Sequence, residues 1–93
     1  MRLLYSGEAV ADLVRLRHVI AENDPEAASR VAAELVSRIE NLRQFPHIGI
    51  EVTQAPAPGV VRDMVFGRHI VRYAAQAESV VVLRIWHEKE NER

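Results

Sequence analysis

The chain has 93 residues, 48% of them hydrophobic and 27% charged, with a formal net charge of -1 and no cysteine. This fits one small globular domain over residues 1–93, near the lower limit for a core without cross-links, and excludes a disordered chain, a disulfide framework and thiolate metal sites. Balanced charge excludes whole-molecule attraction to nucleic acid, and no apolar run nears the roughly 20 residues that span a bilayer, so a cytoplasmic protein without metal or cofactor is expected.

Residues 2–5 are a short apolar segment compatible with a brief strand. Ser6 is placed to N-cap a helix whose first turn holds Glu8, an acid where the helix dipole favours one. Val10, Leu13, Leu16 or Arg17, and Ile20 recur at three-to-four spacing, with Asp12, Arg15 and Glu22 falling elsewhere. Asn23-Asp24-Pro25-Glu26 then reads as a stop and a restart, with Asp24 as N-cap and Pro25 in the first turn. A second helix carries Ala28, Val31, Leu35, Ile39 and Leu42 on one stripe, and Ala27, Ala32 and Ala33 keep it slim enough to pair closely with the first. Phe45-Pro46 ends it, and residues 47–59 have no period and read as a connecting loop.

Three strands follow, at residues 60–66, 69–75 and 79–87, joined by a two-residue turn at Gly67-Arg68 and a second turn at residues 76–78. The predicted fold is α+β: a short N-terminal strand and an antiparallel two-helix hairpin packed on an antiparallel sheet that ends in a three-stranded meander. Strict alternation sends Val71, Tyr73, Val81, Leu83, Ile85 and His87 toward the helices. It leaves Ile70, Arg72, Val80, Val82, Arg84 and Trp86 on the opposite face, joined by Arg62, Met64 and Phe66 in one of the two registers. Apolar residues and arginines on an uncovered face predict a partner, whether another protein, a second copy or the chain's own termini. The tail, residues 89–93, reads as frayed, its glutamates solvated.

The order of these features is itself informative: a helix pair, FPHIG at residues 45–49, Arg62, HIVRYAA at residues 69–75 and VVLRIWHEKEN at residues 81–91. Together they resemble the RelE/ParE superfamily of toxins from type II toxin-antitoxin modules, and the ParE-like branch most. The resemblance implies two antiparallel helices on an antiparallel sheet and a cognate antitoxin that buries an apolar surface; a covered surface fits equally a homodimer or a heterotetramer with antitoxin. It also implies one of two targets: DNA gyrase, inhibited by binding alone, or messenger RNA cut on the ribosome.

Cleavage makes a definite chemical demand, namely a base for the 2'-OH, an acid for the leaving oxygen and cations for the phosphate. Only Arg62, Arg84, Arg72 and His87 are available for it, and Glu88, Glu90 and Glu92 crowd His87 with the charge that repels a phosphate. The chain has one lysine and no tyrosine after Tyr73, and Ile50 stands where many relatives carry arginine. The resemblance therefore favours a gyrase inhibitor over a ribosome-dependent mRNA interferase or an inactive antitoxin-binding module. Target or antitoxin contacts are expected at Val14, Arg17, Arg72, Arg84 and Trp86, with Arg15 beside Arg17 in the groove. For each residue an ordinary role stands beside this one: an ion pair for Arg84, a strand-end packing role for His87, a core or rim anchor for Trp86.

Overall fold

A computed structural model describes residues 1–53 and 59–90. Strand β1 (Arg2–Tyr5) leads into α1 (Gly7–Asn23) and α2 (Pro25–Glu40), a short 3₁₀ turn covers Asn41–Arg43, and β2 (Ile50–Glu51), β3 (Val61–Phe66), β4 (His69–Ala75) and β5 (Ser79–His87) complete the chain. The sheet runs in the order β1-β5-β4-β3-β2. β1 lies parallel to β5 and every other neighbour is antiparallel, so the expected meander is present with one parallel strand added at its edge.

The helix boundaries have local causes. The Ser6 hydroxyl accepts the Ala9 N–H at 3.0 Å, and the Asp24 carboxylate accepts the Ala27 N–H at 3.1 Å with Pro25 in the first turn. Both satisfy donors that a helix start leaves open. The α2 stripe is as expected: Ala28, Leu35 and Ile39 are buried, and Leu42 stays fully buried beyond the helix end. On α1 the buried side is rotated from the expected one. It carries Ala9, Asp12 and Leu16, while Val10 is half exposed. Asp12, expected to fall off the apolar stripe, is 1% exposed.

The segment expected to be an unstructured loop contains β2. Two residues are too short to show a period, and the pairing of Ile50 with Asp63 and Glu51 with Arg62 is what defines the strand. Gly49 just before it is required by close approach. Its N–H donates to the Tyr73 hydroxyl at 2.8 Å, and a Cβ there would lie 2.7 Å from that oxygen and 2.9 Å from the Asp63 carbonyl. Gly67 takes a φ of 58°, which the two-residue β3–β4 turn needs at its first central position. Residues 54–58 of the expected loop and 91–93 of the expected frayed tail lie outside the described residues.

Strict alternation fails in β5. Arg72 pairs with Arg84, and the next residue, Tyr73, pairs with Val82, so Leu83 has no partner on β4. This bulge changes the phase of the strand. Val80, Val82 and Ile85 are fully buried in the helix-facing core with Val71 and Tyr73, whereas Val81 and Leu83 are only partly buried. The expected facing of residues 80–83 is therefore reversed, and Ile85 and His87 keep theirs because the bulge restores the count. Met64 and Phe66 pack on the core as well, which puts Val61, Asp63 and Val65 on the open face of β3.

Candidate functional site

Beyond Tyr5, β1 no longer covers β5, and the outer edge of β5 would be left with unpaired backbone groups. Side chains from α1 and the C-terminal turn take them up. Ser6 donates its hydroxyl to the Leu83 carbonyl at 2.8 Å and its N–H to the Val82 carbonyl at 2.9 Å. Asp12 accepts the Ile85 N–H at 2.8 Å, Arg15 donates to the Ile85 carbonyl at 3.1 Å, and Glu90 accepts the His87 N–H at 2.9 Å. Asp12 sits on the buried side of α1 for this reason.

Charge around that edge is internally cancelled. Asp12 takes a two-point contact from Arg84, Nε to Oδ2 at 2.8 Å and Nη2 to Oδ1 at 2.9 Å, and a further contact from Arg15. Arg15 also bridges Glu90, Nε to Oε2 at 3.0 Å. Burial opposes ionisation of Asp12, but the hydrogen bonds from Arg84, the Ile85 N–H and Arg15 together outweigh it and hold the carboxyl at about 2. Glu90, expected to be solvated, is thus an ion-pair partner, and Arg15, expected in a groove, turns toward the sheet.

The open face of the sheet presents a second pair. Arg72 is bidentate with Asp63, both contacts 2.9 Å, and its guanidinium lies 5.1 Å from the centre of the Trp86 ring. Asp63 and Arg72 are directly opposite across β3 and β4, which sets this geometry. With Ile50, Val61, Val65 and Ile70 they line a shallow groove of about 630 Å³. Trp86 is 6% exposed and Ile50 73%, so the apolar surface that a partner would reach is mostly at β2 and β3.

Arg62 is on the helix-facing side of β3 and acts as a staple. It donates to the carbonyls of Gly59, Gly49 and His47 at 3.1, 3.0 and 3.3 Å, and lies 3.4 Å from Glu51. His87 is at the far end of the sheet, paired across the strand with His69, which in turn pairs beside Phe66. Arg62 and His87 are separated by two strands and four residues along β3, roughly 16 Å. Proton transfer needs heavy atoms near 3 Å. Arg62, Arg84 and His87 are not brought together.

Val14 and Arg17 do meet, in the cleft between the helices. Val14 is 54% exposed, and Arg17 reaches Ser29 of α2 at 3.4 Å, with His18, Ala21, Pro25 and Ala28 around them in a hollow of about 450 Å³. The hollow is mostly apolar, with Arg17 at its edge as the one arginine among the lining residues. Among the described residues no group of three or more His, Asp or Glu side chains could hold a metal ion, and no helix is long and apolar enough to cross a membrane.

Fold and site together describe a small α+β protein in which Arg15, Arg84 and Arg72 are paired to carboxylates of the same chain, with a helix cleft and a sheet-face groove exposed. The fold is shared with a solved chain from "Chromosomal ParDE TA system from P. aeruginosa", at a TM-score of 0.79 over 94% of this chain and 95% of that one, with 21% identity. "Toxin RelE1" of Caulobacter vibrioides (strain ATCC 19089 / CIP 103742 / CB 15) is 33% identical over 87 residues, covering 91% of this chain and 90% of that toxin. The family model described as "ParE toxin of type II toxin-antitoxin system, parDE" matches residues 3–92, and the chain belongs to that family. Membership implies an antitoxin partner.

Proposed function

We propose that this toxin acts as a protein inhibitor of DNA gyrase and is neutralised by an antitoxin whose amphipathic segment lies in the α1–α2 cleft over Val14 and Arg17. One observation carries the choice of a binding action over message cleavage. Each cation that cleavage would recruit is already engaged: Arg84 with Asp12, Arg72 with Asp63, Arg62 with backbone carbonyls, and Arg62 is roughly 16 Å from His87. A phosphate approaching Arg84 or Arg72 meets a neutralised pair, and one approaching Arg62 meets a guanidinium whose N–H groups are held by backbone carbonyls. The residues left with exposed apolar surface suit a protein target instead, with Trp86 and Arg72 at the floor of the sheet-face groove.

Inducing the chain alone tests this reading. Growth arrest with filamentation and DNA-damage signalling is expected, relieved by co-induction of the antitoxin, with His87→Ala still toxic and transcripts intact. Messages cut within codons, with cutting and toxicity both lost in His87→Ala, would replace the reading with ribosome-dependent cleavage.

A further inference from the structure

The last described residues form a small closed device that the proposed function does not use. The His87 N–H donates to Glu90 Oε1 at 2.9 Å, the Glu90 N–H donates to the His87 carbonyl at 2.8 Å, and the Lys89 N–H donates to His87 Nδ1 at 3.1 Å. Nδ1 is therefore an acceptor, and it must be unprotonated for the turn to close. The closed turn aims both Glu90 oxygens at Arg15 of α1, at 3.0 and 3.2 Å. The His69 ring packs edge-on against His87, centroids 5.1 Å apart, and its Nε2 is buried without a partner.

We infer that residues 87–90 are an acid-released latch, in which protonation of His87 Nδ1 turns an acceptor into a donor, expels the Lys89 N–H, opens the turn and detaches Glu90 from Arg15. The two rings have different parts. Burial, with His87 adding to it, lowers the His69 imidazole below its ordinary value, so the latch does not rest on a charge at His69. The charged groups around the pair are Arg68 and Glu88, which bridge each other at 3.5 Å, Lys89 and Glu90, Arg15 and Asp24 from the α1 side, and Arg38 of α2 above the Phe66 ring beside His69. Glu90 raises the His69 imidazole against the effect of burial, and its carboxylate is shared by Arg15 and the His87 N–H. Opening frees the outer N–H of β5 at His87 and removes one of the carboxylates from Arg15.

Amide hydrogen exchange on the full chain, followed by NMR from pH 7.5 to 5.0 and expressed as protection relative to the unstructured rate, tests the latch. The amides of Lys89 and Glu90 should lose about tenfold protection with the midpoint at which the His87 ring titrates, while core amides at Val82 and Ile85 hold. His87→Asn keeps an acceptor near the position of Nδ1 and cannot titrate, so its turn should remain protected across the range. Glu90→Ala removes the acceptor of the His87 N–H and the Arg15 contact, so its His87 amide should be less protected at every pH. Undiminished protection at Lys89 and Glu90 while His87 titrates would overturn the latch, as would an acid response that survives in His87→Asn with its core amides intact.

Discussion

Gly49 and Asp12 show how single residues hold this toxin. A methyl group at Gly49 would enter space already held by the Tyr73 hydroxyl and the Asp63 carbonyl, so Gly49→Ala should lower stability by about 1–3 kcal/mol in urea unfolding. Asp12 is a buried carboxylate whose contacts are with Arg84, Arg15 and the Ile85 N–H. Its carboxyl is lowered from 3.8 to about 2, so the stability it contributes is complete above pH 3.8 and is lost as pH falls through about 2. Asp12→Asn should cost about 2–3 kcal/mol at pH 7 and flatten the acid limb of the stability profile between those values. A variant as acid-sensitive as the parent in that window would place the effect elsewhere.

At the scale of elements, the bulge in β5 decides which residues make the core. Val82→Asp puts a carboxylate in a fully buried site and should prevent folding, whereas Val81→Asp, on the partly buried face, should shift the thermal midpoint by only a few degrees. Uninterrupted alternation requires the opposite ranking, so the pair of variants separates the two facings. The helix pair, both caps, the Gly67 turn and the meander were legible in the sequence because each rests on local chemistry or a period. The bulge was not, since no glycine or proline marks Leu83 and a β-branched run looks the same in either phase. Nor was the role of Asp12, although it shares one helix side with Ala9 and Leu16 and has Arg15 one turn on; that pattern was the available signal. β2 was missed because its two residues are defined only by their pairing with β3.

Across the whole molecule, the sequence marks Arg84 as ambiguous between an ion pair and a ligand, and its Asp12 partner is 72 residues away, beyond any local pattern. The surfaces divide by chemistry instead. The helix cleft has Val14 exposed beside Arg17 and suits an amphipathic segment, so Val14→Glu should weaken antitoxin binding by at least tenfold in titration calorimetry while leaving toxicity intact. Equal affinity for that variant would move the antitoxin contact off α1. The central claim is that this ParE-family toxin works by binding gyrase, and DNA supercoiling by purified gyrase, titrated with the toxin in the presence and absence of its antitoxin, tests it most directly. Inhibition that the antitoxin reverses, and that His87→Ala retains, is the result expected; unimpeded supercoiling in the presence of folded toxin would contradict it.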